Sequence, residues 1–227
     1  MSTDRLRRYT GWAALVAGGL ETLGLVFLFL FFVLELPQGD ASTLRFGYLS
    51  DVTPILVAPV NVIVMLMLFL LQRKHAPVLS TLAILLGSAG ILLTAWTNIQ
   101  FVADKISLEQ QTQLFYLSLA FLGPWHILVN ALARHNGWLP SHLTGFGILV
   151  GIGQLVMYIG SVLLGGYDEM FSSGFTAIME NIPFLISLVI GIPLVLLGAP
   201  IWLVWLGQTL LRTQNTTPAL SNPTATN

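Results

Sequence analysis

Gly11-Trp12-Ala13-Ala14-Leu15-Val16-Ala17-Gly18-Gly19-Leu20-Glu21-Thr22-Leu23-Gly24-Leu25-Val26, running on to Leu36 with Glu35 the one further charge, is the stretch on which the fold turns. It exceeds the apolar core of a signal peptide and meets the ~20 residues a helix needs to cross a bilayer. It reads as a retained first helix. Glu21 stands inside it. A charged group at membrane depth costs about 2.5–3.5 kcal/mol on insertion scales unless it is paired, protonated or wetted. The fold must therefore accommodate a carboxylate.

Composition identifies the solvent. Of 227 residues, 55% are hydrophobic and 8% are charged, against roughly 25% charged in ordinary soluble domains. The apolar residues fall in long blocks rather than at amphipathic spacing, so the surrounding medium is lipid. A net charge of −1 leaves no basic footprint for nucleic acid. The absence of cysteine removes disulfides, thiolate metal sites and thiol catalysis.

Six blocks are long enough to span, at roughly 11–36, 52–72, 77–102, 113–134, 143–165 and 182–211. Helices are expected because lipid offers the backbone no hydrogen-bond partner, and the short alternating segments of a β-barrel are missing. The expected fold is an all-α polytopic membrane bundle of six transmembrane helices over residues 1–212, followed by a polar, disordered tail at 213–227.

Loop charges set the orientation. Arg5, Arg7, Arg8, Arg73, Lys74, Arg134 and Arg212 fall on one side. The other side has only Arg45 and Lys105 among its basic residues, beside Glu35, Asp40, Asp51, Asp104, Glu109, Asp168, Glu169 and Glu180. Both termini are expected in the cytoplasm of a multi-pass protein of the inner (plasma) membrane. Asn215-Thr216-Thr217 matches a glycosylation sequon, but a cytoplasmic tail does not meet that machinery.

Helical spacing sorts the polar residues onto faces. Thr144, Gly147, Gly151, Gln154, Tyr158 and Ser161 share one stripe of the fifth helix. Ser80, Ala83, Gly87, Gly90, Thr94 and Asn98 do so in the third, and Ala14, Ala17, Gly18, Glu21 and Gly24 in the first. Small residues let helices approach, and polar ones bond across the contact, so these stripes should face protein. At 1.5 Å per residue, Glu21, Asn61, Gln154 and His126 lie about 15, 16, 15 and 12 Å from the cytoplasmic ends of their helices. Asn130 sits one turn below His126.

Each candidate has a structural as well as a functional reading. Glu21 is either a titrating or cation-binding group, or a carboxyl that locks helices together. His126, just after Pro124-Trp125, could be a proton relay, a metal or haem ligand, or a partner of Glu21; the hydrogen bond is preferred because intramembrane polar groups seek partners first. A bis-histidine haem would need a second deep histidine, whereas His75, His135 and His142 lie at the cytoplasmic edge. Trp12, Trp138 and Trp205 suit an interfacial belt, and Trp202 lies deeper. No G-x-S-x-G elbow, H-E-x-x-H motif or P-loop occurs. Ser172-Ser173-Gly174 and Asp168-Glu169 read as external loop.

The run Arg134-His135-Asn136-Gly137-Trp138-Leu139-Pro140, leading into Leu143-Thr144-Gly145-Phe146-Gly147-Ile148-Leu149-Val150-Gly151, resembles an uncharacterised bacterial six-span integral membrane family of the domain-of-unknown-function type (DUF four-three-eight-six-like). Members carry a Leu-Pro turn before a glycine-rich fifth helix, and a Pro and a Trp-Leu pair in the last, as in Pro200-Ile201-Trp202-Leu203. The resemblance covers the chain from the fourth helix onward best and the first half loosely. Leu206-Gly207-Gln208 replaces that family's Lys-Gly-Phe-type ending. It implies a topology and supplies no activity.

The expected function is a binding or transport module for a small solute or proton. Glu21 is the titratable centre, His126 its partner, and Asn61, Asn130, Gln154 and Tyr158 the polar lining. Kinks are expected at Pro59, Pro124 and Pro193, as at transporter sites near the midplane. No catalytic residue, metal or cofactor is assigned; the expected partners are the lipid bilayer and that small-molecule or proton ligand. Two other classes stay open: a membrane enzyme using Glu21 and His126 as acid and base, and a structural or accessory subunit.

Overall fold

A computed structural model describes residues 2–38, 45–163 and 182–212, and all regular structure among them is helical. Six helices are long and apolar enough to cross a membrane. They are α1 (Thr3–Leu30, with a π-helical turn at Phe31–Glu35), α2 (Arg45–Gln72), α3 (Pro77–Val102), α4 (Leu108–His135), α5 (Ser141–Tyr158, with a π-helical turn at Ile159–Leu163) and a two-part sixth span. That span joins α6 (Ile182–Pro193) to α7 (Ala199–Arg212) through a π-helical turn at Leu194–Gly198. The expected tail and the stretch bearing Asp168-Glu169 and Ser172-Ser173-Gly174 lie outside the described residues.

Three helices begin well before their apolar blocks, because caps rather than hydropathy start them. The Ser2 hydroxyl accepts the Arg5 N–H at 3.5 Å. Ser107 and Gln110 form a reciprocal capping box, with bonds of 3.2 and 3.1 Å. For α2 the cap comes from another helix: the Glu35 carboxylate accepts the N–H groups of Phe46 at 2.8 Å and Gly47 at 3.0 Å. This neutralises donors that a helix start leaves orphaned, and it suits the positive end of the helix dipole.

Two helices stop the same way. After α4, Trp138 N–H bonds Ala133 O at 3.3 Å and Gly137 N–H bonds Arg134 O at 3.2 Å, a Schellman turn with Gly137 at φ 64°. After α3 the same two bonds run from Lys105 to Gln100 and from Asp104 to Phe101, both at 2.9 Å. Here Asp104 holds φ 52°, a conformation that costs a side-chain-bearing residue about 1–2 kcal/mol. Asp104→Gly should therefore raise the melting temperature in detergent, and an unchanged or lower value would show that the aspartate compensates through a contact of its own.

The helices form a closed ring. Each span packs on its chain neighbours, and α1 closes the circle against α7. Closure needs near-contact of backbones: a Cβ on Gly11 would lie 3.2 Å from Gly207 O, and one on Gly207 would lie 2.7 Å from Gly11 O. The α4–α5 seam is built likewise, with Gly123 against Gly151. The ring's interior holds Ala14, Ala17, Val64, Leu68, Leu119, Leu143 and Leu206, all essentially buried. Its rim exposes Phe29, Leu56, Leu85 and Val189, apolar surface that a water-soluble monomer does not carry as a continuous belt.

The stripes read from spacing turn inward. Ser80, Ala83, Gly87, Gly90 and Asn98 are buried on α3, as are Thr144, Gly147, Gly151 and Gln154 on α5. Polar bonds tie α2 to α4 across the ring at both ends. Gln72 Nε2 donates to Val129 O at 2.9 Å, and Gln111 Nε2 donates to Asp51 at 3.2 Å and to Asn98 at 3.1 Å. Of the three prolines expected to kink helices, Pro59 and Pro124 sit inside uninterrupted α-helix. Only Pro193 coincides with a change of pitch, where it and Pro200 bracket the π-helical turn.

Candidate functional site

The polar side chains expected to form one cluster are divided between two centres. The first joins α1 to α2: Asn61 Nδ2 donates to Glu21 Oε1 at 2.8 Å. Helix geometry gives the direction of Glu21. Gly18 faces α7, where a Cβ would lie 3.0 Å from Pro200 O, and Gly24 faces Thr53 of α2. At 100° per residue, Glu21 falls between those two directions, on the face of Ala14 and Ala17. That face points into the ring, since Ala14 and Ala17 have no exposed surface. Glu21 itself keeps partial exposure. Its second carboxylate oxygen has no hydrogen-bond partner among the described residues.

The second centre joins α4, α5 and α7. His126 Nδ1 lies 2.9 Å from Gln154 Oε1 and 3.1 Å from Leu122 O. Both are acceptors, so Nδ1 carries a proton and donates to them. Asn130 Nδ2 donates to His126 O at 2.8 Å, and Asn130 Oδ1 accepts Trp202 Nε1–H at 3.0 Å. Gly147 lies directly against the Asn130 amide and leaves it room. Two indoles box the imidazole: Trp125 and Trp202 both meet it edge to face, with centroids 4.4 and 5.2 Å away.

His126 thus bonds Gln154 rather than Glu21. The two lie on α4 and α1, on opposite sides of the ring, with no hydrogen bond between them. Tyr158 is half-buried against the core and joins neither centre. Trp202 belongs to the second centre, although its sequence signal was only its depth. Among the described residues no three His, Cys, Asp or Glu side chains come together as a metal site. His142 instead stacks on Trp205, with ring centroids 5.2 Å apart.

The second centre reads as a lock between three helices. Asn130→Leu should leave the buried Trp202 N–H without an acceptor, at a cost of about 1–3 kcal/mol. Adding Trp202→Phe removes the orphan donor and should recover part of that loss in a thermal melt. No recovery would mean that the Asn130–Trp202 bond is not what Asn130 contributes.

No protein-family model matches the chain, and no curated protein and no solved structure matches it significantly.

Proposed function

We propose that this is a multi-pass protein of the plasma membrane, with both termini cytoplasmic, that binds a small cation or a proton-carrying solute at Glu21 inside the ring. The half-satisfied carboxylate carries the reading: Asn61 holds one oxygen, the other has no partner among the described residues, and the group faces inward at membrane depth. An intramembrane charge is retained against its cost chiefly where it handles ions or protons. The sixth span supports this. Because α1 and α7 run antiparallel with Gly18 against Pro200, the π-helical turn Leu194–Gly198 lies about level with Glu21, and π-helical turns inside α-helices recur at functional sites.

Orientation rests on the excess of arginine and lysine at the end holding both termini. Membership of the six-span family of unknown function is a further proposal, resting on Leu139-Pro140 and Pro200-Ile201-Trp202-Leu203.

A thermal-shift panel of sodium, lithium, ammonium and small amines tests the reading on purified protein in mild detergent. A cation at a hundredfold its Kd stabilises the folded state by about 2.7 kcal/mol, so one of them should raise the melting temperature of the parent protein and not of Glu21→Gln. Equal shifts in both proteins would refute a Glu21 site.

A further inference from the structure

We propose that the seam between α1 and α7 holds one anionic glycerophospholipid, with an acyl chain in an apolar groove and the phosphate against Arg8 and Arg212. The groove is open to the rim of the ring and has a volume of about 480 Å³. Thr22 and Leu25 of α1 line one wall, and Ile201, Val204 and Gln208 of α7, with Leu197 of the preceding turn, line the other. Its surface is mostly aliphatic, which suits a hydrocarbon chain.

Both walls lead to arginine. On α1, Leu25, Thr22, Gly18, Leu15, Gly11 and Arg8 follow at alternating three- and four-residue steps, so Arg8 ends the face that packs on α7. On α7, Ile201, Gln208 and Arg212 share one face, and Arg212 lies about 6 Å beyond Gln208. The antiparallel register, with Gly11 against Gly207 and Leu211, brings Arg8 and Arg212 to the same end of the seam. Both are exposed. Arg5, Arg7, Arg8 and Arg212 outnumber Asp4 at this end, so the field there favours an anionic head group over a zwitterionic one.

This site does not depend on ligand binding at Glu21; only its assignment to the cytoplasmic leaflet rests on the orientation proposed above. Native mass spectrometry of the full chain in mild detergent tests it, with dioleoyl phosphatidylglycerol and dioleoyl phosphatidylcholine added at equal concentration. The parent protein should retain one phosphatidylglycerol in preference to phosphatidylcholine by about tenfold, the discrimination expected from basic side chains at a membrane surface. The double variant Arg8→Gln/Arg212→Gln, which alters only exposed side chains, should elute as the parent does in size exclusion and lose that preference. Ile201→Trp, which fills the groove, should reduce retention of both lipids. Equal retention of the two lipids by the parent, or undiminished preference in the double variant, would overturn the proposal.

Discussion

Gly151→Leu is expected to abolish recovery of folded protein from detergent-solubilised membranes. A Cβ at Gly151 would lie 2.6 Å from the Gly123 carbonyl oxygen, 2.8 Å from Ile127 and 3.0 Å from the Cβ of His126. The first of these is backbone and cannot rotate away, so α4 and α5 must separate. Even alanine should lower stability by about 1–3 kcal/mol, the usual range for overpacking, and leucine adds three further carbons in the same place. The consequence extends beyond one seam, because the His126–Gln154 bond of 2.9 Å crosses that interface. Gly145→Ala is the control. Nothing lies within 4 Å of a Cβ there, so that variant should behave as the parent. Size exclusion and thermal melts of the three proteins check the ordering, and a normal melt for Gly151→Leu would mean that α4 and α5 are not held in this register.

The second large effect concerns function rather than folding. Glu21→Gln should eliminate ligand-dependent stabilisation while leaving the unliganded protein as stable as the parent, or more so. The glutamine carbonyl can still accept the Asn61 N–H now given to Glu21 at 2.8 Å, and a neutral amide avoids the cost of a carboxylate at this depth. A purely structural carboxylate behaves in the opposite way, since its replacement lowers stability. The melting temperature without ligand therefore separates the two roles, and the melting temperature with ligand measures the site. Asn61→Leu is a useful companion: it removes the one group that positions Glu21 and should weaken binding without matching the loss seen in Glu21→Gln.

The six spans were legible because lipid imposes a single requirement, a run of apolar residues long enough to cross. The inward stripes were legible for a related reason, since helical spacing gathers Gly87, Gly90 and Asn98, or Gly147, Gly151 and Gln154, on one side of a cylinder. Helix ends were less so. The apolar block marks where hydrocarbon begins, whereas Ser2, Ser107 and a Glu35 from a neighbouring helix determine where hydrogen bonding begins. The pairing of polar residues depended on an unreadable quantity, the order of helices around the ring. Shared depth placed Glu21, Asn61, His126 and Gln154 in one layer. Only the ring order divides them, setting α1 beside α2 and leaving α4 on the far side. Asn130 and Trp202 are 72 residues apart, and no local pattern couples them.

Infrared difference spectroscopy of the reconstituted protein reads the Glu21 carboxyl itself. Spectra would be recorded before and after addition of whichever cation shifts the melting temperature, and across a pH step where none does. If Glu21 binds the ligand, a carboxyl band changes in the parent protein and is missing from the difference spectrum of Glu21→Gln. Identical difference spectra for the two proteins would contradict it, and would reassign Glu21 to holding α1 against α2.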